Sequence, residues 1–102
     1  MAHTSMAYFP CAEGMGATLL PALMEALADT RAFEGNISIE TYLDQDNPDR
    51  ILLWEKWETR EHYEAYLAWR METGMMDMIG PFLDGAPEFV HLGAQDYSKS
   101  KL

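Results

Sequence analysis

The chain has 102 residues, 48% of them hydrophobic and 24% charged, a composition that fits one folded domain with a single core. Asp and Glu number 17 against 7 Lys and Arg, and the resulting formal net charge of −10 argues against nucleic acid and anionic membrane surfaces as partners. No apolar run approaches the roughly 20 residues of a bilayer-spanning helix, no secretory signal is visible, and the single cysteine, Cys11, cannot close an internal disulfide, so a cytoplasmic location is expected.

His3 to Cys11 reads as a weak strand that either ends at Pro10 or lies at a sheet edge, because proline cannot donate to a ladder. The AEGMG turn that follows lacks the lysine and the spacing of a phosphate loop. A helix is expected from about Thr18 to Phe33, with Leu19, Leu20, Leu23, Met24, Leu27 and Ala28 as its apolar stripe. Pro21 asks to sit in the first turn of that helix, and Gly35 is its stop. Asn36 to Asp44 alternates Ile37, Ile39, Thr41 and Leu43 against Ser38, Glu40 and Tyr42, and the short turn QDNPDR makes an antiparallel hairpin with the next strand.

That next strand opens the most informative stretch, ILLWEKWETREHYEAYLAW from Ile51 to Trp69. Ile51, Leu53, Glu55 and Trp57 share one face, and Leu52, Trp54 and Lys56 the other. Thr59 is a good N-cap, with Glu61 in the first turn where the helix dipole favours negative charge. Tyr63, Tyr66, Leu67, Arg70 by its aliphatic stem, Met71, Met75 and Met78 then recur at helical spacing towards Ile79, with Gly74 as a weak point and Gly80-Pro81 as the end. PFLDGAP is a loop or a short helical turn, Glu88 to Leu92 the last strand, and the residues after Gly93 a polar tail.

The order strand, helix, strand, strand, helix, strand predicts an α+β fold of the ferredoxin-like split β-α-β type, a four-stranded antiparallel sheet with both helices on one face. Its other face is left bare. Because Leu52 and Trp54 point one way while Ile51, Leu53 and Trp57 point the other, both faces carry large apolar groups, and a homodimer formed through the bare sheet face is expected.

Glu55-x-Trp57, the capped helix with its acidic and aromatic start, and the pair Tyr66-Leu67 resemble the antibiotic biosynthesis monooxygenase family. TRAFEGNISIETYLDQDNPDRILLWEKW upstream and PFLDGAPEFVHL downstream resemble the same family, so that the likeness covers roughly Thr18 to Leu92. It implies a dimeric α/β barrel, with residues 1–94 as the domain and 95–102 as a polar tail. It also implies a cofactor-independent monooxygenase that acts on a small aromatic or quinol-like substrate with molecular oxygen. Family members often carry a histidine where this chain has Tyr66 and another near Met71. A haem-degrading relative would need an axial histidine in this helix, where only His62 is present.

Oxygenation without metal or organic cofactor requires a substrate that is its own electron donor, a base or hydrogen-bond acceptor, and a dry pocket with aromatic walls. The candidates are Glu55 as base, Trp57 as wall and Tyr66 as hydrogen-bonding group, with Tyr63, Met75, Met78 and Phe82 shaping the substrate site. Each has a plainer reading: Trp57 as core, Glu55 as a structural partner of Arg31 or Arg70, the methionines as adaptable filler. His3, His91 and Cys11 read as structural, and no His, Cys, Asp or Glu pair has metal-ligand spacing. The rival function is a non-catalytic dimeric module that binds a small apolar ligand or assists a pathway enzyme.

Overall fold

A computed structural model describes residues 2–96. Residues 97–102 of the expected tail lie outside the described residues. Strand β1 spans His3–Pro10, helix α1 Gly16–Ala32, β2 Asn36–Leu43, β3 Arg50–Trp57, α2 Arg60–Glu72, α3 Met75–Ile79 and β4 Glu88–Leu92, with a 3-10 turn at Gly80–Phe82. The sheet order is β2-β3-β1-β4, antiparallel throughout. This is the expected α+β ferredoxin-like arrangement.

Register decides which side chains meet the helices. In β3, Ile51, Leu53, Glu55 and Trp57 are buried, while Leu52, Trp54 and Lys56 stay half-exposed. Their partners on β1 follow suit: Phe9 opposite Ile51, Ala7 opposite Leu53 and Ser5 opposite Glu55 are all buried. Helices therefore cover one face only, and Met6, Tyr8, Leu52, Trp54, Val90 and Leu92 lie half-buried on the other.

Of the two readings of Pro10, the strand end holds and the sheet edge does not: β1 is hydrogen-bonded to β3 and β4 on its two sides, and Pro10 is its last residue, facing Arg50. Four expectations need correction. Helix α1 begins at Gly16 rather than near Thr18, so Pro21 sits inside it, on the exposed side. The early start has a distant cause. Asp49, in the turn between β2 and β3, accepts hydrogen bonds from the backbone N–H groups of Gly14 at 3.0 Å and Gly16 at 2.9 Å, and so does the work of an N-cap that Met15 cannot do. These two backbone donors hold the Asp49 carboxyl below its ordinary value.

The α1 stripe is also rotated. Gly16, Leu19, Leu27 and Thr30 are buried, whereas Met24 is 52% exposed and Ala28 is exposed. In β2 a bulge between Asn36 and Ser38 turns Ile37 outward, so the alternation fails at its first apolar residue. The second helix is two helices, because Gly74 takes φ +87° and ends α2 before α3 begins.

The main core joins Ala7, Phe9, Cys11, Ile39, Ile51 and Leu53 of the sheet side to Leu19, Leu27 and Ile79. A second cluster, Trp57, Tyr63 and Tyr66 with Phe33, Leu67 and Trp69 against them, closes the other end. Among the described residues no helix is long and apolar enough to cross a membrane.

Candidate active site

Between the sheet and the helices lies a cavity of about 270 Å³. Its apolar lining comes from Ala7, Phe9, Leu53 and Phe89 of the sheet, Leu19, Leu23 and Leu27 of α1, and Leu67, Met75, Met78 and Ile79 of the later helices. Polar groups gather where α1 and α2 approach β3: Glu55, Thr30, Tyr66 and Arg70 all line the cavity, and Asp29 and Thr73 complete that wall.

Glu55, Thr30, Tyr66 and Arg70 are each held from behind. Thr59 starts α2 as expected, its hydroxyl accepting from the His62 N–H at 3.1 Å. That start sets the phase of α2, so that Tyr63 and Tyr66 turn inward. The Tyr66 hydroxyl accepts from Arg70 Nε at 2.8 Å and shares a 2.7 Å hydrogen bond with the Thr30 hydroxyl. Arg70 Nη2 donates to Thr30 Oγ1 at 3.0 Å and to the Ala26 carbonyl at 2.8 Å. The guanidinium also lies 4.7 Å from the centre of the Trp69 ring, within cation–π range. One cation thus fixes two hydroxyls from two helices. With Thr30 donating to Tyr66, the phenol keeps its own proton free for a bound molecule.

Glu55 is 2% exposed, and Trp57 Nε1 donates to its Oε1 at 3.0 Å. Burial pushes the carboxyl up to about 7, against the opposing pull of the Trp57 hydrogen bond and the Arg70 charge. A carboxyl so placed can take or return a proton near neutral pH.

Of the residues the sequence singled out, Glu55, Tyr66, Met75 and Met78 line the cavity, Met78 at its exposed rim, 63% accessible. Trp57, Tyr63 and Phe82 do not. Trp57 is not a wall: it is fully buried behind Glu55 and reaches the site only through its N–H. Tyr63 is fully buried in the aromatic cluster, its ring 5.6 Å from that of Trp57. Phe82 packs against the main core. Neither arginine pairs with Glu55 as a salt bridge; Arg31 donates to the Ile39 carbonyl, and Arg70 holds the two hydroxyls. Thr30 and the hydrogen-bonding role of Arg70 are not legible in the sequence, because the partners lie 36 to 44 residues apart in the chain. A threonine among the apolar positions of α1, at the spacing of Leu19, Leu23 and Leu27, was the available signal. Among the described residues no group of three or more His, Cys, Asp or Glu side chains is placed to hold a metal ion.

The sequence profile of the family described as antibiotic biosynthesis monooxygenase matches residues 2–70. No curated protein matches the sequence. Solved structures do. A monooxygenase of Streptomyces coelicolor from the gene ActVA-Orf6, in complex with the ligand nanaomycin D, superposes with a TM-score of 0.80 at 15% identity, covering 98% of this chain and 93% of that one. A protein described as antibiotic biosynthesis monooxygenase gives 0.80 at 19% identity over 94% of this chain and all of the other. Rv0793 of Mycobacterium tuberculosis gives 0.75 at 20% identity, over 97% and 100%. Likeness at these identities speaks for the fold.

Proposed function

Because the chain belongs to the antibiotic biosynthesis monooxygenase family, we propose that it is a cytoplasmic, homodimeric monooxygenase that oxidises a small phenol or quinol with molecular oxygen and no metal or organic cofactor. The observation that carries this reading is the one-sided chemistry of the cavity. A buried carboxyl lifted to about 7 and an arginine-held phenol stand on the polar wall of a cavity whose remaining lining is apolar. At about 270 Å³ the cavity sits at the small end of ligand pockets, which favours a substrate of one or two rings.

The proposed steps balance. Glu55 as carboxylate takes the phenol proton, and Tyr66 donates to the resulting phenolate. The phenolate passes one electron to oxygen, the two radicals combine at a ring carbon, and the peroxide is protonated. Loss of the ring C–H proton and cleavage of the O–O bond release water and leave a quinone. Substrate plus O₂ becomes quinone plus H₂O, with the substrate supplying every electron. Trp57 acts as a positioning residue, holding Glu55 and favouring its charged form.

Oxygen uptake by the metal-stripped protein against a panel of hydroquinones and anthrols tests this. Uptake should survive chelation and fall about a hundredfold or more in Glu55→Gln, the scale of a lost general base, and drop in Tyr66→Phe. Binding of these compounds without uptake would instead make the protein a ligand-binding module.

A further inference from the structure

Among the described residues three buried hydroxyls, those of Ser5, Thr41 and Tyr63, find no partner in full hydrogen-bond geometry, and two of them, Ser5 and Tyr63, lie together. Ser5 and Tyr63 are fully buried, and their hydroxyls face each other at hydrogen-bonding range: burial pushes the Tyr63 phenol up, and the Ser5 hydroxyl pulls against that shift. A native interior leaves few such groups unpaired, so two together call for a reason.

Their place in the sheet supplies one. Ser5 on β1 stands directly opposite Glu55 on β3 and directly opposite His91 on β4, so Glu55, Ser5 and His91 form one row across the helix-facing side. Directly opposed side chains stand roughly 5 Å apart at Cβ. His91 Nδ1 is 2.9 Å from His3 Nε2, and the Tyr63 ring meets His91 edge-on at 5.4 Å and His3 at 6.0 Å. Both histidines are half-buried and so reach solvent. None of Ser5, Tyr63, His3 or His91 lines the cavity.

We propose that Ser5, Tyr63 and the His3–His91 pair form a proton path from Glu55 to solvent, separate from the cavity mouth. This rests on the reading of Glu55 as the base. A substrate seated in the cavity blocks the direct route between Glu55 and water, and the row across the sheet is the polar route left. Protons balance over a turnover: one leaves Glu55 along the path when the phenolate forms, and one returns for the cleavage of the O–O bond. A hydroxyl passes a proton by accepting on one lone pair and donating its own, which a permanently engaged hydroxyl does poorly. The paired imidazoles, in which a ring nitrogen can accept a proton on one side while the other donates, are a suitable terminus. Burial and the neighbouring His91 hold the His3 imidazole below its ordinary value; of the charged groups on α2, Arg60 acts the same way and Glu61 and Glu64 oppose it.

The test is steady-state oxygen uptake by wild type, Tyr63→Phe and His91→Ala with a hydroquinone that the wild type turns over. Tyr63→Phe keeps the ring packing and removes only the hydroxyl that faces Ser5, so the fold is retained, and a thermal melt checks this. We expect kcat to fall about tenfold in both variants with KM within about twofold, less than the loss of a general base because bridging waters substitute in part. Added imidazole should restore His91→Ala and leave Tyr63→Phe unchanged. Wild-type kcat in both variants, a loss confined to KM, or no rescue by imidazole overturns the path while leaving the monooxygenase reading in place. A wild type that consumes no oxygen with any member of the panel overturns both.

Discussion

Burial lifts the Glu55 carboxyl to about 7 against an ordinary 4.5, so between those values the folded protein holds a proton that the unfolded chain has released. The sign follows directly. The carboxyl favours folding fully below pH 4.5, and this contribution is lost as pH rises through 7, to the extent of roughly 3 kcal/mol at about 1.4 kcal/mol per pH unit. Glu55→Gln, which can still accept from Trp57, should therefore be more stable than wild type by that order at pH 8 and nearly equal to it at pH 4. Urea denaturation at the two pH values measures the difference; equal gains at both would mean that desolvation is not what shifts the group. A residue whose removal stabilises the fold while stopping turnover is retained for its chemistry. Period-2 alternation made its face readable from the sequence, and that of Trp57 with it. It could not tell that the carboxyl reaches the cavity while the indole stays behind it, since this depends on where α1 and α2 leave space.

Elements whose signals are local were readable in the sequence, and those shaped at a distance were not. The passage from β3 into α2 is dictated within ten residues by alternation, Thr59 and the tyrosine spacing, and it stands as expected. The start of α1 depends on Asp49, 33 residues beyond Gly16, and no helical pattern could reveal it. Gly35 shows the same entanglement between neighbouring elements. It takes φ +91° after α1, and a Cβ added there would overlap the His62 ring on the first turn of α2. Gly74 has a similar φ, +87°, with open space around it. Gly74→Ala should cost only the left-handed backbone term, on the order of 1 kcal/mol. Gly35→Ala should lose more, on the order of 2 kcal/mol or above, because His62 must also give way. Paired chemical denaturation separates the two; equal losses would show that the His62 contact is slack.

At the scale of the whole molecule, the bare sheet face carries the weight of the homodimer proposal. Met6, Tyr8, Leu52, Trp54, Val90 and Leu92 form one continuous half-buried apolar surface over β3, β1 and β4. Lys56 at its end donates to Thr4 at 2.7 Å. If two copies join there, Trp54→Glu should convert the dimer to a monomer in sedimentation equilibrium with the far-UV spectrum intact. A wild type that sediments as a monomer would refute the face as a self-association surface.

The three indoles stand in different surroundings: Trp54 half-exposed on the bare face, Trp57 sealed behind Glu55, and Trp69 lining the cavity beside the Arg70 guanidinium. Their separation makes the chain its own optical instrument. A quinone entering the cavity comes nearest Trp69 and should quench its emission first, whereas association through the sheet dries Trp54 and shifts its emission to the blue. In a protein keeping a single tryptophan at 54 or at 69, occupancy and assembly become two separate signals that can be followed without any label.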